Sequence, residues 1–342
     1  MRYLITGHTG FKGAWLSLML ANSGHEVFGL SLDPDEQSLF ESAKLSGIFS
    51  IDRRLDIRDK DSVDRYIKQI DPEVVIHLAA QPLVRYSYQY PIETYSTNVM
   101  GTLNVLEATR SVKSLLATLI ITTDKVYKNI GQRSGYVESD PLGGDDPYSA
   151  SKAAADIATQ SWIKSFSERP VAIARAGNVI GGGDWASDRL IPDLVRSYSS
   201  GVIPIVRNPL AVRPWQHVLD CLNGYTSLID SLLSGRDGGE WNFGPNHMVH
   251  HIVSEVVETF AQEYGFGGTP WKLDTGVNPH ESNFLLLDSS KSRNELGWVD
   301  LLDFHSSIAW TADWYKTWDK GGAKSVTLEQ IDRFNELRNL SN

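Results

Sequence analysis

Three glycines at intervals of three residues, Gly7, Gly10 and Gly13, follow the first apolar segment of the chain. Residues 3–6 are apolar enough for a short buried strand, and residues 14–22 have a helical pattern that a Ser-Gly pair ends. Glycine allows a tight turn and a close approach of the backbone to a ligand, and the N-terminus of a helix attracts phosphate. The spacing therefore predicts a cradle for a dinucleotide rather than a turn with only a structural role.

Apolar runs of strand length alternate with helical patterns up to residue 175. Predicted strands cover residues 26–31, 51–55, 74–78, 115–122 and 171–175, and predicted helices cover residues 91–110 and 148–165. Continuously apolar runs are typical of parallel strands buried on both faces. The pattern predicts an α/β fold with a Rossmann-type doubly wound parallel sheet, whose ligands bind beyond the carboxyl ends of the strands.

The pattern changes after residue 175, where loops, prolines and short helices replace the regular alternation. We interpret residues 1–175 as a dinucleotide-binding domain with catalytic residues, and residues 176–342 mainly as a smaller C-terminal substrate-binding domain. The sequence leaves open whether the chain crosses back to the first domain. Residues 325–340 have the pattern of a polar amphipathic helix, which we interpret as a surface element.

Composition narrows the functional classes. The formal net charge of -10 argues against a nucleic-acid surface and means that an anionic substrate needs a local cluster of Arg or Lys. The single cysteine, Cys221, excludes an internal disulfide and fits a reducing compartment. Because the apolar runs are far shorter than a membrane span and leave no room for a signal peptide, we expect a cytoplasmic protein without membrane contact.

A tyrosine and a lysine, Tyr148 and Lys152, are spaced four residues apart in a predicted helix and so lie on one helical face. A free phenol has a pKa of about 10, and a nearby ammonium lowers it, as proton removal from an alcohol requires. The pair fits hydride chemistry at a nicotinamide, although the same spacing is common in ordinary amphipathic helices. Upstream, at the end of a predicted strand, lie Thr123, Asp124 and Lys125.

The choice of cofactor is less well defined than the cradle. A Rossmann unit places an acid at the end of its second strand to bind the adenosine ribose, whereas Ser31 stands there and Asp33 comes two residues later. We expect NAD, with NADP left open. Lys12 in the glycine loop would meet a 2'-phosphate, but a solvated lysine is the interpretation we favour. The residues predicted to bind the cofactor are Gly7, Thr9, Gly10, Phe11, Lys12, Gly13, Ser31, Asp33, Asp56, Ile57, Leu78, Ala79, Ala80, Gln81, Asn98, Thr122, Tyr148 and Lys152.

The histidines do not indicate a metal site. His247 and His251 are four residues apart, as in some zinc sites, but the pattern supplies no third ligand or general base. His77 lies inside a predicted buried strand, and we interpret it as a core histidine with hydrogen-bond partners.

The chain resembles the extended short-chain dehydrogenase/reductase family, and within it the nucleotide-sugar 4,6-dehydratases that act on CDP-glucose. The resemblance covers residues 2–298 and rests on the motifs TGHTGFKG, TTDKVY, YSASK, RAGNVIGGGDWASDRLIPD, RPWQHVLD, WNFGP and LGW. It implies a reaction of deoxysugar and lipopolysaccharide biosynthesis: oxidation at C4 of the hexose, loss of water across C5 and C6, and return of the hydride to C6. The family's NAD is tightly bound and recycled.

The resemblance also implies roles for five residues. Tyr148 takes the proton of the C4 hydroxyl, Lys152 lowers the pKa of Tyr148 and holds the nicotinamide ribose, and Thr123 binds the C4 oxygen. Asp124 protonates the departing C6 hydroxyl. Lys125 stands where related dehydratases carry a glutamate, and it is either the C5 base, which we favour, or a cation that stabilises the enolate.

The substrate-binding candidates are Gln81, Arg85, Asn178, Arg189, Arg207, Arg213 and His280, with Arg213 as the principal ligand of the diphosphate. Two other functions are consistent with parts of the pattern. A nucleotide-sugar 4-epimerase needs Tyr148 and Lys152 but no Asp-Lys pair, and a non-catalytic NAD(P)-binding regulator needs neither. The resemblance further implies a homodimer through paired helices around Asn98 and Tyr148.

Overall fold

The computed structural model describes residues 1–166, 168–246, 249–276 and 283–341. The strands are β1 (Arg2–Thr6), β2 (Glu26–Ser31), β3 (Ile51–Arg54), β4 (Val74–His77), β5 (Ala117–Ile121), β6 (Val171–Ala176), β7 (Val179–Ile180), β8 (Ile205–Val206), β9 (Val212–Arg213), β10 (Gln216–His217), β11 (Gly239–Phe243), β12 (His251–Ile252) and β13 (Lys272–Leu273). The helices are α1 (Phe11–Asn22), α2 (Leu39–Ser42), α3 (Lys60–Ile70), α4 (Val84–Gln89), α5 (Pro91–Tyr95), α6 (Gly101–Thr109), α7 (Pro147–Phe166), α8 (Leu190–Ser199), α9 (Val218–Leu233), α10 (Val253–Tyr264), α11 (Ser290–Leu296), α12 (Phe304–Trp318) and α13 (Ala323–Ser341). Short 3-10 turns lie at Leu45–Ile48 and Asp124–Val126, and a π-helical turn at Ser96–Met100 joins α5 to α6.

Parallel strands form the central sheet in the order β11-β6-β5-β4-β1-β2-β3. Tyr3 of β1 pairs with Val27 on one side and with Val74 on the other, so the chain order reverses between β1 and β4. A crevice forms at such a reversal, beyond the carboxyl ends of the strands. Because helices cover both faces, β4 and β5 are buried throughout. The predicted Rossmann-type doubly wound sheet is confirmed.

The sheet does not end where the sequence pattern ends. We expected residues 171–175 to be its last clear strand, but β11 pairs in parallel with β6, Trp241 opposite Ala174. Polar Glu240 and Asn242 interrupt the apolar pattern of β11, which is why its strand signal is weak. The chain therefore crosses back to the sheet after residue 176.

The remaining strands are short and form separate two-stranded pairings, β7 with β10, β9 with β12 and β8 with β13. Residues of β7, β8, β9 and α8 line a cleft together with residues from the carboxyl edge of the sheet. The division of the chain into two domains at residue 175 stays a prediction.

The last helix is not merely a surface element. Ile331 and Phe334 on α13 are buried, and α13 packs on α12, α1 and α2. Its polar face suggested exposure, but its apolar face joins the largest core cluster. No helix in the described part of the chain combines the length and apolarity that a membrane crossing requires.

Candidate active site

A cleft of about 1360 Å³ lies at the carboxyl edge of the sheet. The structure brings the following predicted residues together in its lining: Phe11, Lys12, Leu78, Ala80, Arg85, Thr122, Thr123, Asp124, Lys125, Tyr148, Lys152, Asn178, Arg189, Arg207 and Arg213. The other predicted residues lie outside the lining, and His280 lies outside the described residues.

The glycine turn closes so tightly that side chains are excluded from it. Gly7 has a φ of +75°, and a Cβ added there would lie 2.7 Å from the Ala79 nitrogen. A Cβ on Gly13 would lie 2.1 Å from the Gly7 oxygen. Gly10 is the N-cap of α1, and no side chain caps this helix. Because the first N–H groups of a helix have no partner within it, the turn fits the diphosphate of a dinucleotide.

Lys12 is in neither of the two environments that we predicted for it, bulk solvent or the neighbourhood of a 2'-phosphate. It is half-buried, and its ammonium donates a hydrogen bond to the Tyr225 hydroxyl at 3.1 Å. It is therefore not freely solvated, and it points towards α9 instead of the end of β2, where a 2'-phosphate would lie. Burial is the main cause that lowers the pKa of this lysine.

The end of β2 has no buried acid. Ser31 is buried, and its hydroxyl lies 2.7 Å from that of Thr9. The Asp33 carboxylate is 89% exposed and lies 3.4 Å from Arg54. Sequence reasoning missed the cluster next to it, in which Arg54, Asp52 and buried His8 share hydrogen bonds. The histidine inside the glycine motif was the available signal.

Asp56 and Ile57, which we predicted to bind the cofactor, have protein partners in the structure. Asp56 is bound by Arg58, with contacts down to 2.6 Å, and hydrogen bonding from Arg58 lowers the pKa of this carboxyl. Ile57 is buried against α6, so closely that a Cβ on Gly101 would lie 2.4 Å from it.

Asn98 holds the loop that follows β4. Its side-chain oxygen accepts a hydrogen bond from the Gln81 backbone N–H at 2.8 Å, and its amide donates to the Gln81 oxygen at 3.1 Å and the Ser151 hydroxyl at 2.8 Å. Asn98 lies in the π-helical turn, a feature often found at functional sites. The Gln81 side chain bonds to Thr94 and Leu83. Both residues thus anchor the loop that presents Leu78 and Ala80 to the cleft.

The turn after β5 places a carboxyl in the cleft. The Thr123 hydroxyl donates to one Asp124 oxygen at 2.9 Å, and also accepts from the Lys125 N–H at 3.4 Å. The other Asp124 oxygen, Oδ2, is buried without a hydrogen-bond partner among the described residues. Burial is the main cause that raises the pKa of this carboxyl. Asp124 is therefore suited to hold a proton and to donate it.

Tyr148 and Lys152 lie on α7 beside this turn. Burial raises the pKa of Tyr148 to about 12, although a hydrogen bond with Thr123 opposes the rise. The Lys152 ammonium donates to the Ile121 oxygen at 2.8 Å, and burial, followed by the charge of Lys12, lowers its pKa to about 7. The expected lowering of the Tyr148 pKa is therefore absent from this structure, because desolvation of the phenolate dominates.

A buried ion pair lies one helical turn beyond Lys152, and sequence reasoning missed it. Arg175 binds both Asp156 oxygens, at 2.9 and 2.7 Å, and both side chains are 0% exposed. Thr122 donates to the same carboxylate at 3.0 Å, and Arg175 also donates to Tyr127 at 2.9 Å. The available signals were a charge inside the apolar strand β6 and an acid eight residues after Tyr148.

Most of the predicted substrate ligands line the same cleft. Arg85 lies 3.4 Å from Asp188, and Arg189 lies 2.8 Å from Asp184. Arg213 donates to the Val212 backbone oxygen at 2.8 Å. Arg207 and Asn178 are also in the lining.

The predicted core histidine has its partners. The two ring nitrogens of His77 lie 2.7 Å from the Thr6 hydroxyl and 3.0 Å from the Thr102 hydroxyl, and burial lowers its pKa to about 3. His251 contacts Glu255 at 3.1 Å and stacks on Phe304, whereas His247 lies outside the described residues. Within the described ranges, no group of three His, Cys, Asp or Glu side chains is arranged to hold a metal.

Comparisons with known proteins agree with this architecture. Residues 3–244 match the model of the NAD dependent epimerase/dehydratase family. A CDP-glucose 4,6-dehydratase of Salmonella typhimurium is 44% identical over 331 residues, which cover 94% of this chain and 92% of that protein.

Solved structures show the same fold. A dTDP-glucose 4,6-dehydratase of Bacillus anthracis in complex with NAD has a TM-score of 0.80 at 25% identity, with 94% of this chain and 98% of that chain covered. A UDP-glucose 4-epimerase of Stenotrophomonas maltophila with bound NAD has a TM-score of 0.82 at 19% identity, over 94% of this chain and 99% of that chain.

Proposed function

Because the chain belongs to the NAD dependent epimerase/dehydratase family, we propose that it is an NAD-dependent nucleotide-sugar 4,6-dehydratase that converts CDP-D-glucose to CDP-4-dehydro-6-deoxy-D-glucose. The observation that carries the proposal is Asp124, a buried carboxyl in the cleft with a raised pKa and with one oxygen that has no hydrogen-bond partner among the described residues. Elimination of water needs such a proton donor. Epimerisation at C4 does not, so this residue favours the dehydratase.

The cradle and the catalytic helix suit the first step. NAD held at the glycine turn would supply the acceptor for the C4 hydride and the source of the hydride that returns to C6. Tyr148 takes the proton of the C4 hydroxyl, and Thr123, which hydrogen-bonds the phenol, also orients the C4 oxygen. Lys152, whose ammonium donates to the Ile121 carbonyl oxygen, would hold the nicotinamide ribose, and its positive charge favours the phenolate.

The turn after β5 carries the elimination. A ketone at C4 acidifies the C5 proton, which Lys125 removes as the base while Asp124 gives its proton to the departing C6 hydroxyl. The C6 oxygen leaves as water with the proton from Asp124. Lys125 returns its proton to C5 when the hydride reaches C6, and the proton that Tyr148 took from the C4 hydroxyl balances the one that Asp124 supplied. Both side chains line the cleft next to Tyr148, which supports these assignments.

The arginines that line the cleft bind the diphosphate of the substrate. Arg213 is the principal ligand, because a guanidinium binds phosphate oxygens with two parallel hydrogen bonds. Arg207 lines the same cleft. Arg189 and Arg85 lie 2.8 and 3.4 Å from carboxylates, and they either exchange these for substrate oxygens or stabilise the cleft lining.

The substrate is tested by incubating the purified protein with NAD and, separately, CDP-, dTDP-, UDP- and GDP-glucose. We expect CDP-glucose alone to give a product lighter by one water, detected by mass spectrometry. An unchanged mass with an inverted C4 would identify an epimerase instead. Loss of water from dTDP-glucose but not from CDP-glucose would retain the reaction and overturn the substrate.

We also propose a homodimer. The helix that runs through α5 and the π-helical turn exposes Ile92 (81%) and Met100 (52%), and the neighbouring α7 exposes Ile157 (53%). These apolar side chains, on packed helices, suit a helix-to-helix contact between two copies. Light scattering after size exclusion should give twice the 38.1 kDa chain mass, and Ile92→Glu should give the monomer. A wild-type monomer contradicts this part of the proposal.

The cellular setting follows from the substrate. We assign the enzyme to the cytoplasm, where nucleotide sugars and a reducing environment suit an enzyme with a single, buried free cysteine. Its product, a 4-keto-6-deoxy sugar on a nucleotide carrier, is a precursor for deoxysugars of the kind found in lipopolysaccharide. Fractionation of cells, with the activity assayed in each fraction, tests the location.

A further inference from the structure

Lys12 lies in the glycine turn, and its ammonium lies beside Tyr225 of α9. It is the second residue of α1, two positions after the N-cap Gly10, and its side chain lines the cleft. The first turn of α1 contains no acidic residue that would neutralise this charge.

The partner that holds the Lys12 ammonium is neutral. Tyr225 accepts its hydrogen bond at 3.1 Å, and the ammonium lies 5.5 Å from the centre of the Tyr225 ring. Tyr225 is buried on α9, and burial holds its pKa well above the ordinary value, so the phenol keeps its proton. In the described part of the chain, no carboxylate oxygen lies within 4.0 Å of this ammonium.

The neighbouring charges do not compensate for it. Lys152 and Arg189 are near enough for repulsion with Lys12. Burial raises the pKa of both acids that act on it, the Cys221 thiol and the Asp124 carboxyl. A half-buried cation without an anionic partner is costly, and the positive end of the α1 dipole adds to the same potential. Both features favour an anion in the cradle.

We propose that Lys12 is a direct cationic ligand of the cofactor's diphosphate, and that Tyr225 is the positioning residue that holds it there. The inference rests on the proposed use of a dinucleotide. It assigns the diphosphate as the group that Lys12 recognises, in place of a 2'-phosphate or the nicotinamide. A bound diphosphate would also reduce the repulsion between Lys12 and Lys152.

Binding of two probes tests the assignment without any turnover. NAD and ADP-ribose, which has the diphosphate but no nicotinamide, are titrated by calorimetry into wild type, Lys12→Met and Lys12→Arg. We expect Lys12→Met to weaken both probes by the same factor, about 10- to 100-fold, as for a lost charge-assisted hydrogen bond. Lys12→Arg should keep most of the affinity, and Tyr225→Phe should give an intermediate loss.

The control is Lys291, which is also half-buried but lies outside the cleft. Its ammonium donates a hydrogen bond to a neutral partner, the backbone carbonyl oxygen of Glu240, at 2.8 Å. Lys291→Met should bind both probes as wild type does. Wild-type affinity of Lys12→Met for ADP-ribose overturns the proposal, as does an equal loss in Lys12→Arg, which would indicate shape rather than charge. If wild type binds NAD but dehydrates no nucleotide sugar, the proposed function fails while these titrations still decide the role of Lys12.

Discussion

Helix α7 carries two charged side chains one turn apart, and their surroundings are opposite. Asp156 accepts hydrogen bonds from Arg175, Thr122 and Gln160, and its carboxylate is fully buried among them. Lys152 faces the cleft, donates a hydrogen bond to the backbone oxygen of Ile121, and has a pKa lowered to about 7.

The difference separates charges that hold the fold from charges that do chemistry. A buried ion pair with every partner in place resists change, because removal of one partner leaves an uncompensated charge. A buried group with too few partners is less stable in its charged form, and its proton is therefore easily exchanged. Asp124 belongs with Lys152 in this respect. We expect substitutions in the first class to lower stability and those in the second to lower activity.

The largest effect is expected for Arg175→Met. Loss of the guanidinium leaves Asp156 buried and unpaired, so the free energy of unfolding should fall by about 3–5 kcal/mol. Urea unfolding followed by circular dichroism measures it. The matched control is Arg58→Met, whose ion pair with Asp56 is partly exposed at 39% and 30%, and which should cost less than about 1 kcal/mol. Equal losses in the two variants would remove the distinction.

Asp124→Asn should have the converse effect. The amide keeps the shape of the side chain but cannot donate the proton to the C6 oxygen, so kcat should fall by about 10²- to 10⁴-fold. The free energy of unfolding should stay within about 0.5 kcal/mol or rise, because the substitution removes a buried carboxyl whose Oδ2 has no partner in the described part of the chain. A large loss of stability would show that Asp124, like Asp156, is a charge that stabilises the fold.

Two substitutions of Lys125 distinguish its candidate roles as the C5 base and as a cation that stabilises the enolate. If it is the C5 base, Lys125→Arg should lose as much activity as Lys125→Met, about 10²-fold, because a guanidinium does not release a proton at working pH. Both variants should also lose exchange of the C5 hydrogen with deuterated water, read by mass spectrometry. Retained activity and exchange in the arginine variant would instead assign Lys125 as a cation that stabilises the enolate.

Lys152 is also expected to change the pH dependence of stability. The pKa of Lys152 is about 7 in the folded protein and near 10.5 when unfolded, so between these values the unfolded chain binds the extra proton. Lys152 therefore makes stability rise with pH across this window, by at most about 1.4 kcal/mol per unit. Lys152→Met should lose that rise when the unfolding midpoint is compared at pH 6 and pH 9. An unchanged slope would show that Lys152 stays protonated.

Local sequence patterns were enough to predict most of the fold. The glycine turn, the strands up to β6 and the face shared by Tyr148 and Lys152 follow from short-range periodicity, and the structure has each of them. β11 was missed because Glu240 and Asn242 interrupt its apolar pattern, and its pairing with β6 is set by distant contacts.

The candidate site was predictable only as a set of residues. Whether a charged side chain has a partner depends on contacts between residues that are far apart in the sequence. Examples are the contacts of Lys12 with Tyr225 and of Asp156 with Arg175. Burial then moved the pKa of Tyr148 upwards, although spacing alone predicted the reverse. The roles of the site residues stay predictions until the variants above are measured.

The packing of α1 has a consequence for the order in which the molecule is completed during synthesis. Trp15 donates a hydrogen bond to the Gly182 oxygen at 2.9 Å, and α13 packs on the same helix. The edge of β6 is likewise unpaired until β11 has been synthesised and pairs with it. A nascent chain that has emerged only to residue 176 thus exposes an open strand edge and an uncovered α1, both of which promote aggregation. Stalled or truncated products ending before α13 should require chaperones or be degraded.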